Sequence, residues 1–358
     1  MPLPATFVKG FHDEASVSRM EYLPFGKTGL NVSKIAIGVI CIFAINFLER
    51  VLRDSNMTGI TFSQPIAAIH KAIKSGVNYI DTAPFYGQGR SEEIVGKALK
   101  SIPREAYYIA TKIGRYTRDF PTMFDYSAKK THESIEKSLK LLGLDYVDIL
   151  QIHDIEFAPN LDVVINEALP AVEEIVKKGK ARFIGVTGYP IKPLKEIILR
   201  APKQNFQMVL CYSRYSLLDD ALVDYIPFFK EQNLAIVCAA GHALGLLTNA
   251  GPQYWHPASD EMKETCQKAA AICKDSDIEL GKLAMYYFIQ LDGPSTFLVG
   301  MQTRKLVDIN LQAYFDGLTK KEQEVLKLLK ETVFTKSGDW EGVEPERYWE
   351  EMNKRKTN

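Results

Sequence analysis

Short apolar segments alternate with amphipathic segments along most of the chain. The apolar segments are rich in β-branched and aromatic residues and nearly free of polar positions, which is typical of strands covered on both faces. They are KIAIGV, VNYID, YYIATK, YVDILQIH, ARFIGVT, QMVLCY, LAIVCAA and STFLVGM. The amphipathic segments have a helical period and include TFSQPIAAIHKAIKSG, SEEIVGKALKSI, AKKTHESIEKSLKLLG and NEALPAVEEIVKKGK.

Eight strands, each followed by a helix, predict an α/β fold, a (β/α)8 TIM barrel with extra helices near the C-terminus. No Ser/Gly-rich linker divides the chain, so we expect a single barrel over residues 21–335. Residues 1–20 form an N-terminal extension, and residues 336–358 form a polar C-terminal tail over the barrel surface. An open doubly wound sheet is the alternative, but GVICIF stands where its glycine fingerprint would follow the first strand.

The charge balance and the cysteines restrict the possible partners. Lys plus Arg and Asp plus Glu each total 44, so charge gives no reason to expect nucleic acid or an anionic membrane. The N-terminus lacks a signal-peptide pattern, and the longest apolar run, IAIGVICIFAINFL, is too short to span a bilayer. Five scattered cysteines without a C-x-x-C pair indicate reduced thiols and no metal site. We expect a cytoplasmic protein, either monomer or dimer.

Four groups capable of proton transfer fall at three successive strand ends. The second strand ends at Asp81 with Tyr86 in the following loop, the third ends at Lys112, and the fourth at His153. Each residue alone has an ordinary structural explanation, such as a turn cap or rim packing. Because the carboxyl ends of barrel strands face the active site, the four together predict one catalytic centre.

The chemistry of these groups suggests carbonyl reduction. A tyrosine has an unperturbed pKa of about 10, and an adjacent ammonium such as that of Lys112 lowers it. Asp81 can pair with Lys112, and His153 can orient a carbonyl oxygen while Tyr86 protonates it. No side chain carries a hydride, so the hypothesis requires a bound nicotinamide or flavin.

Several long segments resemble the aldo-keto reductase superfamily. They include GVNYIDTAPFYGQGRSEEIVGKAL, IATKIGRY, SLKLLGLDYVDILQIHD, KKGKARFIGVTGY and LVGMQTRKLVDINL, and with their flanks they cover residues 21–329. The branch resembled contains L-galactose and D-arabinose dehydrogenases and insect reductases of 3-dehydroecdysone. The resemblance implies a barrel that binds NADPH, with NADH possible, and a catalytic tetrad at Asp81, Tyr86, Lys112 and His153. It also implies that Ser91 caps the helix after the GQG turn.

The resemblance is less close at the positions that bind the cofactor, where several residue types differ from those of relatives. Thr187 and Gly188 stand where relatives have Ser-Asn for the carboxamide, and Tyr212 stands where they have Gln. Ala239 or Ala240 replaces an aromatic residue that stacks on the nicotinamide. Gly245 and Leu246 begin the helix of a loop around the pyrophosphate.

The adenosine end of the cofactor corresponds to the segment GMQTRKLVDIN, which begins at Gly300. Arg304 and Lys305 are candidates for the 2′-phosphate and Asn310 for the adenine. The two cations favour NADPH, although a solvated basic pair at a helix start is the ordinary alternative.

The predicted substrate pocket is aromatic and apolar. Its residues are Phe43, Phe85, Tyr116, Phe157 and Trp255. They favour a hydrophobic carbonyl substrate, such as a ketosteroid, over a sugar. The segment from Val39 to Ser63 is bulkier than the Gly/Thr-rich turn of relatives, so it either adds to this pocket or obstructs the cofactor.

Three alternatives to a carbonyl reductase remain open at this point. The first is a sugar dehydrogenase working in the oxidative direction. The second is a nucleotide-binding regulatory protein that kept the barrel and lost efficient turnover. The third, a flavin-dependent barrel oxidoreductase, would give a yellow protein.

Overall fold

Eight parallel strands close into a barrel in this computed structural model, which describes residues 3–39, 63–202 and 205–356. The barrel strands are β3 (Ile35–Gly38), β4 (Tyr79–Asp81), β5 (Tyr108–Ile113), β6 (Val147–Ile152), β7 (Ala181–Gly188), β8 (Met208–Tyr212), β9 (Ala235–Ala239) and β10 (Thr296–Gly300). Consecutive strands pair in sequence order, and β10 closes on β3 with Gly300 opposite Gly38. The predicted (β/α)8 barrel is confirmed, and the open doubly wound alternative is wrong.

Helices surround the barrel and extend beyond it at the C-terminus. They are α1 (Glu14–Arg19), α2 (Ser63–Lys74), α3 (Arg90–Leu99), α4 (Phe120–Met123), α5 (Ala128–Leu142), α6 (Leu161–Val163), α7 (Leu169–Lys177), α8 (Ile191–Arg200), α9 (Ile226–Glu231), α10 (Asp260–Asp275), α11 (Leu280–Phe288), α12 (Arg304–Asp316), α13 (Lys320–Thr332) and α14 (Val343–Lys356). In α5 the residue types at both ends set the bounds of the helix. Ser127 caps its start, and Gly143 ends it in the left-handed conformation.

A short hairpin covers the amino end of the barrel. Its strands, β1 (Tyr22–Pro24) and β2 (Asn31–Ser33), are antiparallel, and Phe25 between them packs against Tyr79 inside the barrel with ring centroids 5.3 Å apart. Apolar side chains of the described residues fill this end, and active sites of such barrels lie at the other, carboxyl end.

Two local expectations are wrong. Gly89, with a φ of 93°, is the N-cap of α3, and Ser91 lies inside the helix, where its hydroxyl donates to the carbonyl oxygen of Val39 at 2.8 Å. No α-helix starts at Gly245, because Leu244 and Gly245 have φ values of 53° and 105° and end a 3₁₀ turn. Among the described residues, no helix is both long enough and apolar enough to cross a membrane.

The C-terminal tail lies across the carboxyl end of the barrel and buries more than its polar composition predicts. Trp340 is only 4% exposed and stacks on Tyr189, which follows β7. In α14, Tyr348 packs against Phe157, which follows β6, and against Phe124, which follows β5. The tail therefore covers one side of the face where the active site of a barrel enzyme lies.

Buried Arg214, which follows β8, holds this tail in place through ion pairs. Its guanidinium forms ion pairs with Asp219 at 2.9 Å, Asp339 at 3.2 Å and Glu341 at 3.0 Å. Asp219 is itself buried, so removing the cation would leave a desolvated carboxylate without its partner.

We expect Arg214→Met to lower the free energy of unfolding by about 3 kcal/mol and to increase amide hydrogen exchange in residues 337–356. The matched control is Arg200→Met, which removes a surface pairing with Asp162 and Glu196 and should leave the free energy of unfolding nearly unchanged. Urea unfolding and exchange mass spectrometry measure both effects. Unchanged exchange in the tail of Arg214→Met would contradict the fastening role.

Candidate active site

A buried lysine–aspartate pair forms the base of the site at the carboxyl end of the barrel. Lys112, at the end of β5, donates to Oδ1 of Asp81 and, at 2.9 Å, to the carbonyl oxygen of Thr82. The amide of Gln151 donates to the other oxygen of Asp81 at 2.6 Å. Both charged side chains are almost fully buried, so the ion pair and its hydrogen bonds replace the lost hydration.

Tyr86 and His153 stand above this pair. The ammonium nitrogen of Lys112 lies 4.7 Å from the centroid of the Tyr86 ring. The rings of Tyr86 and His153 meet edge to face, with centroids 5.7 Å apart and an interplanar angle of 87°. The four residues singled out at three strand ends therefore come together around one point.

The local environment keeps His153 neutral. Burial lowers the pKa of His153 to about 3, against the opposing effect of Asp154, whose Oδ2 lies 3.5 Å from Nε2 of His153. Nδ1 of His153 is buried and has no hydrogen-bond partner within the described part of the chain. A neutral imidazole can donate one N–H to a ligand oxygen without bringing a charge.

The low pKa of His153 makes stability depend on pH. Between about pH 6.5 and pH 3, the unfolded chain binds a proton at this histidine that the folded chain does not bind. Stability should therefore fall as pH drops through this window, by up to about 1.4 kcal/mol per pH unit from this residue. Urea unfolding at several pH values should show a shallower decline for His153→Gln than for the wild type. Parallel curves would contradict this assignment.

A second buried ion pair, between Arg115 and Asp154, lies next to His153. Nη1 of Arg115 donates to Oδ2 of Asp154 at 2.7 Å. Burial acts to raise the pKa of Asp154, but the positive charges of Arg115 and Lys112 and the hydrogen bond from Arg115 oppose this shift, and that pKa lies below its usual value. Burial raises the pKa of Glu344 in α14, and the attraction of Arg115 opposes this shift.

The residues predicted to line an apolar pocket lie in different surroundings in the structure. Phe85 and Phe157 lie against the Arg115 guanidinium, with ring centroids 3.9 Å and 5.5 Å from its central carbon. The hydroxyl of Tyr116 accepts from the N–H of Gly114 at 3.0 Å, and Trp255 is 42% exposed. Phe43 and residues 40–62 of the unusual segment after β3 lie outside the described residues.

Three predicted nicotinamide positions lie at the carboxyl ends of β7 and β8. Thr187 is buried at the end of β7, and its hydroxyl donates to Oδ1 of Asp154 at 3.3 Å. A side chain at Gly188 would begin 2.8 Å from Oε2 of Glu156, so a larger residue there would require that carboxylate to move. Tyr212 ends β8, and its ring is tilted against that of Tyr189 at 5.2 Å.

The predicted phosphate and adenosine positions lie at the ends of β9 and β10. Ala240 follows β9 with a φ of 59°, and the side chain of Leu246 is fully buried. Gly245 belongs to the 3₁₀ turn, and Gly300 ends β10. Arg304 and Lys305 are exposed in the first turn of α12, which Thr303 caps, whereas Asn310 is buried one turn and a half later.

Sequence reasoning missed three polar residues of the site, namely Gln151, Arg115 and Asp154. The alternation of β6 could have found Gln151, because it lies two positions before His153 and so points into the barrel as well. Arg115 and Asp154 stand in loops just after strand ends, where periodicity gives no direction for a side chain.

The described residues contain no candidate metal-binding site. No group of three or more His, Cys, Asp or Glu side chains there is arranged to hold an ion. Cys211, Cys238, Cys266 and Cys273 are buried free thiols, while Cys41 lies outside the described residues.

Known proteins are similar to this chain in both sequence and fold. The model of the aldo/keto reductase family matches residues 52–331. L-galactose dehydrogenase of Arabidopsis thaliana is 37% identical over 299 residues, covering 83% of this chain and 89% of the relative. D-arabinose 1-dehydrogenase of Saccharomyces cerevisiae is 28% identical over 291 residues, covering 76% and 85%.

A solved structure agrees with the sequence relatives. The holo form of an aldo-keto reductase from Bacillus halodurans superposes with a TM-score of 0.65 and 26% identity, covering 87% of this chain and 96% of that one. This chain belongs to the aldo/keto reductase family, as its motifs predicted. It is an oxidoreductase of a family that uses nicotinamide cofactors.

Proposed function

We propose that this protein interconverts a carbonyl and an alcohol, with Tyr86 as the acid that protonates the carbonyl oxygen. The observation that carries the proposal is the convergence of Tyr86 with His153, Lys112 and Asp81 at the carboxyl end of the barrel. A bound nicotinamide would supply the hydride to the carbonyl carbon.

Each member of the tetrad has a separate role in this proposal. Neutral His153 donates a hydrogen bond that orients the substrate oxygen, and Tyr86 gives that oxygen its proton. Lys112 stabilises the phenolate that remains, and Asp81 with Gln151 holds Lys112 in place. The phenolate then takes a proton from solvent. In the oxidative direction the phenolate accepts the alcohol proton instead.

The cofactor proposal is NADPH, with NADH possible. Thr187 and Tyr212 lie at the carboxyl ends of β7 and β8 and would contact the nicotinamide, while the turn from Ala240 to Leu246 would contact the phosphates. Arg304 and Lys305 are exposed cations at the start of α12, and this supports a 2′-phosphate there. Both would interact with a phosphate from flexible, solvated positions.

For the substrate, the site supports a sugar better than a ketosteroid such as 3-dehydroecdysone. The rings of Phe85 and Phe157, expected to form an apolar wall, lie against a guanidinium. The buried ion pair between Arg115 and Asp154 puts charged and hydrogen-bonding groups beside His153, which suits a substrate with several hydroxyl groups. The relatives named L-galactose dehydrogenase and D-arabinose 1-dehydrogenase point to the same class.

A cofactor absorbance assay tests this proposal. Wild-type protein is given oxidised cofactor with L-galactose or D-arabinose, and reduced cofactor with small aldehydes, 3-ketosteroids and 3-dehydroecdysone, using both NADP and NAD forms. We expect turnover that is fastest with a sugar and with the NADP form. Faster turnover of a ketosteroid would overturn the substrate proposal, and cofactor binding without any turnover would favour a regulatory protein.

A further inference from the structure

The ion pair between Arg115 and Asp154 lies beside both groups that we propose to contact the reacting oxygen. Asp154 follows His153 in the chain, and its Oδ2 lies 3.5 Å from Nε2 of that histidine. The Arg115 guanidinium packs on Phe85, the residue before Tyr86. The proton transfer proposed above uses neither member of the pair.

The position of Asp154 is fixed by its surroundings. Its φ is 51°, in the left-handed region that non-glycine residues rarely adopt. The Tyr126 hydroxyl donates to the carbonyl oxygens of His153 at 2.9 Å and Asp154 at 2.6 Å, and the N–H of Asp154 donates to the Thr187 hydroxyl at 3.2 Å. Such a conformation persists only where neighbouring groups hold it, and it is concentrated at functional sites.

Both members of the pair keep hydrogen-bonding capacity. The Asp154 carboxylate accepts from Arg115 and Thr187, which uses about half of the roughly four lone-pair positions of a carboxylate. Nε of Arg115 is buried and has no hydrogen-bond partner among residues 3–39, 63–202 and 205–356. A polar substrate group that reaches the pair would therefore find both an acceptor and a donor.

We propose that Asp154 and Arg115 bind the hydroxyl on the carbon next to the reacting carbon, and so select 2-hydroxy carbonyl compounds and sugars. This inference rests on the proposed function. Oxygens on adjacent carbons in a staggered arrangement lie about 3 Å apart, so a substrate oxygen on His153 brings its neighbour close to Asp154. That hydroxyl donates to the carboxylate and accepts from the guanidinium.

The pair also acts against substrates that lack this hydroxyl. A simple aldehyde or a ketosteroid would displace water from the charged groups without replacing the hydrogen bonds. Leaving a buried charged acceptor unsatisfied costs more than a neutral hydrogen bond gains. The same two residues therefore favour one substrate class and disfavour the other.

The test compares substrates that differ only in this hydroxyl. The probes are 2-hydroxypropanal and propanal, with 3-hydroxypropanal to separate the position of the hydroxyl from general polarity. L-galactose and 2-deoxy-L-galactose form a second pair in the oxidative direction. We expect the wild type to prefer the 2-hydroxy member of each pair by about 10- to 100-fold in kcat/KM.

Asp154→Asn should bring this preference to within about threefold of unity, because kcat/KM should fall much more for the 2-hydroxy member of each pair than for the member without this hydroxyl. Arg115→Lys should weaken the preference about tenfold, because it keeps the charge and loses the planar donor fork. The matched control is Asp148→Asn. Like Asp154, Asp148 is a buried carboxylate paired with arginine, here with Arg104 at 2.7 Å and Arg182 at 2.8 Å. It stands at the opposite end of β6. The substrate preference of the Asp148→Asn variant should equal that of the wild type.

Each outcome decides the inference. Equal turnover of both members of a pair by the wild type would overturn it and leave the proposed function standing. An Asp154→Asn variant that slows both members equally would also overturn it, since Asp154 would then only position His153. Absence of turnover with every probe would overturn the proposed function and this inference together. The wild-type ratios test the substrate preference even where a variant fails to fold.

Discussion

Tyr86→Phe is expected to slow carbonyl reduction by about 10²- to 10⁴-fold while leaving cofactor affinity unchanged. Phenylalanine keeps the ring that packs edge to face on His153 and lies 4.7 Å from the Lys112 ammonium, so it removes only the hydroxyl. The loss should appear in kcat, because the hydroxyl acts in the transition state. Steady-state kinetics and cofactor titration by fluorescence measure the two quantities.

Tyr22→Phe is the control for this substitution. The Tyr22 hydroxyl donates to the carbonyl oxygen of Gly76 at 2.8 Å, at the amino end of the barrel and away from the tetrad. This variant should lose about 1 kcal/mol of stability and keep its turnover. Activity of Tyr86→Phe within a few-fold of the wild type would show that another group protonates the oxygen.

Lys112→Met should abolish turnover and lower the free energy of unfolding by about 3–5 kcal/mol. The substitution leaves the fully buried Asp81 carboxylate with the Gln151 amide but without its counter-ion. Adding Asp81→Asn to it removes the uncompensated charge. The double variant should therefore regain most of the stability and none of the turnover.

The pair between Lys282 and Glu322, on the outer helices α11 and α13, is the comparison for this result. Its nitrogen and oxygen are 2.6 Å apart and both side chains are only partly buried, so Lys282→Met should cost about 1 kcal/mol or less. Urea unfolding and the absorbance assay measure both effects. Turnover in the double variant, or a single variant as stable as the wild type, would contradict the role assigned to Lys112.

The fold was predictable because nearly continuous apolar strands alternate with amphipathic helices. The period of α5 places Ile135, Leu139 and Leu142 on its buried face, and Gly143 ends it. Helix starts were harder to predict. Ser91 has the residue type of a cap, but its hydroxyl bonds to Val39, which is distant in sequence.

The tetrad was predictable since each member stands at or just after a strand end, where barrel geometry fixes its direction. Arg115 was not, because three aromatic rings from separate loops determine where its guanidinium lies. The same contacts change the meaning of Phe85 and Phe157. From the sequence alone they indicated an apolar pocket, and in the structure they pack around a charge. Similarly, the polar composition of the tail did not reveal that Trp340 is buried against Tyr189.

Transfer of deuterium from the cofactor to the product tests the central claim most directly. Wild-type protein and Tyr86→Phe are incubated with a carbonyl substrate and reduced nicotinamide cofactor deuterated at both C4 positions, and the alcohol is analysed by mass spectrometry. We predict one deuterium on the former carbonyl carbon, formed at least about 10²-fold more slowly by Tyr86→Phe. An alcohol without deuterium, or equal rates from the two proteins, would contradict hydride transfer assisted by Tyr86.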